Sequence, residues 1–192
     1  MIWPVKLGRP GLREWTGPCW RQNKGEGDIV AKLTLSRIDD RLIHGQIIVK
    51  WSKSVPVDRI LIVDDQFAED PFMIAIYKST VPRNLKFSLL SQEDAVKKWE
   101  EGFFKEEDIL MLTRTVNTMK YLIEHGMPVG EVNVGGIAAK AASVVVAGSI
   151  SITKEDADHL KEIAAKGVRV YFQLIPEENG WELDWIIRKY FK

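Results

Sequence analysis

One cysteine, Cys19, leaves this chain no internal disulfide to form, and the C-x-x-C and Cys/His spacings of zinc sites are missing. That excludes the small disulfide-stapled scaffolds and fits a reducing, cytoplasmic setting. No apolar run approaches the ~20 residues that a bilayer-crossing helix needs. Residues 1 to 30 also lack the continuous apolar core of a signal peptide. Work at a membrane would therefore require docking onto another subunit. Net charge is absent too: 27 basic residues balance 27 acidic ones without a sustained basic run, which argues against a dedicated nucleic-acid binder. Neither G-x-G-x-x-G nor G-x-x-x-x-G-K-S/T occurs, which counts against a nucleotide-binding enzyme. Nothing in the residue types calls for a metal ion or a cofactor. What the chain does have is length, since 192 residues can bury a sizeable core in one domain without staples.

The stretch Leu35-Ser36-Arg37-Ile38-Asp39-Asp40-Arg41-Leu42-Ile43-His44-Gly45-Gln46 concentrates the chemistry. Ala31 to Leu35 alternates into a short strand, and Ile47, Ile48 and Trp51 give one apolar face of a helix starting near Gly45. His44 then sits at a helix N-terminus, where free N–H groups and the positive end of the dipole favour an anion. Arg37 and Arg41 can add forked, charge-assisted donors to phosphate oxygens, and an imidazole is a competent nucleophile toward phosphorus. Asp39 and Asp40 cannot sit beside an incoming phosphate. At least one of them is assigned to fixing an arginine, or to a ring N–H of His44 that sets its tautomer. The plainer alternative is a charged loop in which His44 only caps a helix.

The string RIDDRLIHGQ, with Trp51 seven residues after the histidine, closely resembles the opening of the IIB subunits of the mannose, fructose and sorbose family of the bacterial sugar phosphotransferase system. The likeness extends across residues 33 to 176, through Val63-Asp64-Asp65, Ala68-Glu69-Asp70, the Asn133-Val134-Gly135-Gly136 turn and Gly167-Val168. It implies that His44 takes a phosphoryl group from a phosphohistidine on a IIA protein and passes it to a sugar held by the IIC and IID membrane subunits. It also implies a cytoplasmic protein docked at the inner membrane face through those partners, with a homodimer left open. Two departures stand out. Arg114-Thr115-Val116 follows Thr113 where the family often has a lysine or threonine, serine and proline sequence, and Lys140 is the sole cation in the run Ala138 to Gly148.

From residue 31 onward strands and helices alternate, which predicts an α/β fold: an open, mostly parallel sheet of about six or seven strands with helices on both faces. Strands are expected near 32–37, 58–63, 85–90, 108–113, 131–134, 149–152 and 168–174. Helices are expected near 44–54, 69–81, 91–101, 116–125 and 154–166, with a short terminal helix inside 177–192. Residues 1–30, with three tryptophans, three prolines and five glycines but no periodicity, read as an irregular extension, non-native or mobile, ahead of a single domain 31–192.

Ligands of such sheets bind beyond the carboxyl ends of the strands. Those ends carry the His44 loop, Asp64-Asp65, Thr113 to Thr115 and Gly135-Gly136. Asp65, Thr113 and the glycine amides could therefore bind phosphate or sugar, or could merely cap and turn the chain. His125 and His159 read as a helix-end and a solvated residue without a chemical role. The competing function is a receiver module phosphorylated on aspartate, suggested by Ile60 to Asp65. It lacks the later strand-end aspartate and the lysine before a proline that such modules need.

Overall fold

The computed structural model describes residues 31–191. The extension expected over 1–30 lies outside the described residues. Among the described residues there are nine strands: β1 (Lys32–Ile38), β2 (Arg59–Val63), β3 (Lys86–Leu90), β4 (Asp108–Thr113), β5 (Glu131–Val134), β6 (Val144–Ala147), β7 (Ile150–Ile152), β8 (Arg169–Phe172) and β9 (Trp181–Glu182). Seven of them form one sheet in the order β3-β2-β4-β1-β5-β8-β9, parallel except for β9. The helices are a π-helical segment Ile47–Trp51 running into α1 (Ser52–Ser54), then α2 (Asp65–Ala68), α3 (Pro71–Thr80), α4 (Gln92–Glu100), α5 (Val116–Glu124), α6 (Lys154–Ala165) and α7 (Leu183–Tyr190).

Strand periodicity explains the layers. Along β2, Leu61 and Val63 point to one face while Ile60 and Ile62 point to the other; along β4, Ile109 and Met111 oppose Leu110 and Leu112 in the same way. The first face packs against Ala95 of α4, Met119 and Leu122 of α5, Leu160 and Ile163 of α6, and Ile186 of α7. The second packs against Ile47 and Trp51 of the π-helical segment, with Phe67, Ile74 and Tyr77 from α2 and α3. Covered on both sides, β2 is apolar from Ile60 to Val63, and every residue of it is buried.

Local signals end the elements where physics requires. Ser91, Thr115 and Thr153 cap α4, α5 and α6, the last in a reciprocal capping box with Asp156. Gly126 and Gly167 take the left-handed conformation just past α5 and α6, at φ of 89° and 85°.

Three expectations need correction. The strand expected at 149–152 does not join the main sheet; as β7 it pairs antiparallel with β6, which lies in the run Ala138 to Gly148 where no strand was expected. Val144-Val145-Val146 and Ile150-Ser151-Ile152 flank a Gly148-Ser149 turn with Gly148 at φ 49°, which is a hairpin pattern. The seventh strand of the sheet is β9, too short to announce itself. Within the helix expected over 44–54, the Ser52 N–H reaches back five residues to the Ile47 carbonyl, which makes the segment π-helical.

Candidate active site

Four of the expected residues meet where the chain leaves β1. The connection after β1 crosses the second face of the sheet, whereas α6, in the connection from β5 to β8, lies on the first. The adjacent ends of β1 and β5 therefore open a crevice of the kind that holds ligands in parallel sheets. The loop that fills it turns sharply: the Leu42 N–H donates to the Asp39 carbonyl at 3.0 Å, and Leu42 itself is buried at φ 52°. A left-handed leucine costs ~1–2 kcal/mol, so burial of its side chain and the surrounding bonds must hold it.

Asp39 organises the site. Its carboxylate accepts from the Arg37 Nη2 at 2.8 Å, from the Arg41 Nε at 3.1 Å, from the Arg41 N–H at 3.2 Å and from the Gly136 N–H at 3.2 Å. The His44 Nε2 faces the same carboxylate at 3.8 Å. Burial pushes this carboxyl up, but the hydrogen bond from Arg41 and the charge and hydrogen bond of Arg37 outweigh it and hold the group below the usual carboxylate range. The His44 Nδ1 lies 2.9 Å from the Leu42 carbonyl, an acceptor only, so in this contact that nitrogen carries the proton. Gln46 Oε1 stands 3.4 Å from Nε2, and the His44 carbonyl accepts from the Ile48 N–H at 3.2 Å, opening the helix. Gly45 is exposed, with open space where a side chain would be.

The two arginines part company. Arg41 keeps 45 % of its side chain exposed and holds its guanidinium on the Asp39 carboxylate that His44 also faces. Arg37 is fully buried: it donates to Asp39, to Asn133 Oδ1, and to the Gln173 and Leu174 carbonyls at 2.9 and 3.3 Å, with its guanidinium over the Trp51 ring at 5.2 Å. That placement differs from the direct phosphate donor expected of Arg37, because both of its Nη groups are bonded inside the protein and the guanidinium is buried. Burial lowers its pKa, while the charge and hydrogen bond of Asp39 work against the fall. Asp40 ties two loops together, accepting from the Ala138 N–H at 2.7 Å while its own N–H donates to the Gly136 carbonyl at 2.8 Å.

Gly135 and Gly136 serve the arginines. A Cβ on Gly135 would collide with the Arg37 guanidinium, and one on Gly136 would come within 2.6 Å of the Arg41 Nη2. Their N–H groups are already used, by the Ile38 carbonyl at 2.7 Å and by Asp39. This yields a contrast. Gly135→Ala is expected to destabilise by ~1–3 kcal/mol, because Arg37 is pinned and cannot yield. Gly136→Ala should leave the melting temperature within about 2 °C, because the exposed end of Arg41 can swing away. Thermal melts of both variants check this, and equal losses would contradict it.

The remaining candidates lie in structural roles. Asp65 accepts from the Gln92 backbone and side chain at the start of α4, and Asp64 caps α2 and pairs with Arg114 at 2.8 Å. Buried Thr113 bonds the Thr115 carbonyl with its hydroxyl at 3.3 Å, and its own carbonyl anchors the Asp39 N–H at 2.9 Å. His125 ends α5 with its ring stacked on Tyr121 at 3.8 Å. Among the described residues, no group of three or more His, Cys, Asp or Glu is arranged to hold a metal ion, and no helix is long and apolar enough to cross a membrane. Sequence reading missed Asn133 and the Gln173-Leu174 carbonyls as site groups. A polar residue inside an otherwise apolar short strand was the available signal for Asn133; backbone carbonyls leave none.

Comparison with known proteins extends the likeness. Residues 33–192 match the family described as the sorbose subfamily IIB component of the phosphotransferase system. The chain is 31% identical over 160 residues to the fructose-specific EIIB component of Bacillus subtilis, covering 83% of this chain and 98% of that one. It is 28% identical over 155 residues to the mannose-specific EIIAB component of Escherichia coli K12, covering 81% of this chain and 48% of that one. The crystal structure of manxB from Thermoanaerobacter tengcongensis superposes with a TM-score of 0.80 at 32% identity, covering 86% of this chain and 100% of that one. The IIBSor domain of the sorbose permease from Klebsiella pneumoniae gives 0.78 at 26% identity, covering 84% and 99%.

Proposed function

This chain belongs to the sorbose-type IIB family of the bacterial sugar phosphotransferase system, and on that premise we propose that His44 is its phosphoryl acceptor. It is a phosphotransferase of sugar uptake. In the reading advanced here, a phosphohistidine of a IIA protein is the donor and a sugar hydroxyl the final acceptor, with IIC and IID subunits holding the sugar at the inner face of the membrane. Forming a P–N bond to a neutral His44 ring breaks the donor's P–N bond, and the proton that the newly phosphorylated ring gives up is taken by the departing donor imidazole. In the second step a P–O bond to the sugar forms, the His44 P–N bond breaks and the hydroxyl proton is released to the ring. Because charge spreads over the three equatorial oxygens in transit, catalysis is mostly positioning and electrostatic stabilisation.

The observation that carries the reading is the single carboxylate of Asp39, which holds Arg41 at 3.1 Å and faces His44 at 3.8 Å. It fixes a half-exposed guanidinium beside the imidazole while Arg37 neutralises the buried charge. Arg41→Ala is therefore expected to slow single-turnover transfer by roughly 30- to 1,000-fold, the ~2–4 kcal/mol lost with one preorganised donor. Stability should hardly change, since Asp39 retains Arg37. Arg37→Ala should show the reverse emphasis, with the larger loss in melting temperature. Rapid-quench phosphorylation by a purified IIA donor, run beside melts of both variants, tests the pair. Unchanged transfer in Arg41→Ala would mean that the helix N-terminus alone holds the phosphate.

A further inference from the structure

Arg37 is the element that joins the catalytic loop to the rest of the sheet, and the groups that hold it have been given no part in the reaction. Asn133 is its register partner on β5 and is fully buried. The amide is used at both ends: Oδ1 accepts from the Arg37 Nη1, and Nδ2 donates to the Gln173 carbonyl at 3.3 Å. Trp51 closes the cage, lying under the guanidinium and donating its Nε1–H to the Leu174 carbonyl at 3.1 Å, which in turn accepts from Arg37. Only a neutral side chain with both an acceptor and a donor satisfies this place. A carboxylate would face the Gln173 carbonyl without a proton to offer and would set a second anion against Asp39 for one guanidinium. An alkyl group would leave Arg37 Nη1 with a single carbonyl, beside an Nε that is already buried without a partner.

We propose that Asn133 is a positioning residue for phosphoryl transfer, acting through Arg37 on Asp39 and thereby on the Arg41 guanidinium and the His44 ring. This rests on His44 being the acceptor. The linkage runs through discrete contacts: Asn133 sets the Arg37 Nη1, the Arg37 Nη2 sets Asp39 Oδ2, and Asp39 Oδ1 sets Arg41 Nε. If Arg37 slips in its cage, the carboxylate that aims Arg41 and faces His44 rotates with it. Binding of an anion at the exposed loop depends less on that angle than in-line transfer does, because charge attraction is non-directional whereas transfer requires alignment.

The test treats the full-length chain with phosphoramidate, a small phosphoryl donor that requires no partner protein, and follows labelling by 31P NMR. Asn133→Ala is expected to lower the saturating rate about tenfold with the half-saturating concentration within twofold, and to shift the His44 ring 15N signals. Trp51→Phe keeps the ring beneath Arg37 and removes one hydrogen bond; it is expected to slow transfer about threefold, and it decides the matter if Asn133→Ala does not fold. Ile163→Val, a remote core truncation in α6, is the stability control and should leave rate and ring signals unchanged. Wild-type rates in both Asn133→Ala and Trp51→Phe would overturn the proposal, as would an equal slowing in Ile163→Val. Labelling of His44→Ala at the wild-type rate would instead overturn the acceptor assignment, a separate outcome read in the same experiment.

Discussion

His44→Ala is expected to accept no phosphoryl group from a IIA donor and to melt within a few degrees of the wild type. The chemical loss is total because no other imidazole stands at the crevice: His125 is stacked on Tyr121 at the far end of α5, and His159 lies on α6. Small structural cost follows from the ring's position. It bonds the Leu42 carbonyl and is otherwise a loop side chain with 18 % exposure, so its deletion removes one hydrogen bond, worth ~0.5–1.5 kcal/mol. The phosphorylated wild type should be acid-labile and base-stable, as a phosphoramidate is. Mass-spectrometric mapping of the labelled protein provides the check. A label on an aspartate, with base lability, would transfer the chemistry to a different side chain and remove the basis for reading Arg41 as a transition-state donor.

Replacing Asp39 should do the greatest damage overall, because it removes both an aiming device and a counter-ion. Asp39→Ala leaves the buried guanidinium of Arg37 with neutral acceptors only, and stranding a buried charge costs ~3–5 kcal/mol. For a domain of this size that lowers the melting temperature by roughly 10 °C. Transfer should fall beyond the loss in Arg41→Ala, since Arg41 loses its anchor and His44 its facing carboxylate. The pH dependence follows from the direction of the Asp39 shift. A carboxyl held below its unfolded value of ~3.9 contributes stability that is complete above that value and is lost as pH falls through the lower folded one. The wild type should thus lose stability below about pH 4, and Asp39→Asn should lose less over the same range. Glu107, lowered by its hydrogen bond from Arg59 against burial and helped by Lys86, keeps part of the acid sensitivity in either protein. A flat difference between wild type and Asp39→Asn from pH 2 to 6 would remove Asp39 from the acid response.

Much of the architecture was legible where a local rule and the tertiary demand agree. Ser91 and Thr153 cap helices because their hydroxyls reach a free N–H three residues on, a fact that needs no knowledge of the fold. The burial of β2 on both faces is visible in its unbroken apolar run. The hairpin was lost because Val144-Val145-Val146 resembles both a loop and a strand until its partner Ile150-Ser151-Ile152 is known to fold back on it. At the site, the adjacency of His44 and Arg41 could be read from spacing. The separation of the two arginines could not, since an exposed and a fully buried guanidinium look alike in sequence. Arg37 is buried because Asn133, Gln173 and Leu174 arrive from 96, 136 and 137 residues away, and no window on the loop contains them.

Those separations also set an order of assembly. A nascent chain that has reached α5 already carries His44, Arg41 and Asp39, yet the strand that supplies Asn133 and the segment that supplies the two carbonyls have not been synthesised. Until β5 docks beside β1 and β8 then docks beside β5, Arg37 has only Asp39 and water for company, and nothing compels it inward. Closing a loop of that length is an entropic cost repaid only after the distant strands pair, so the crevice is completed late in folding. Competence to be phosphorylated then becomes a timer of folding: it should appear in refolding experiments after most helical signal has returned, and in truncated chains only once residue 174 is present.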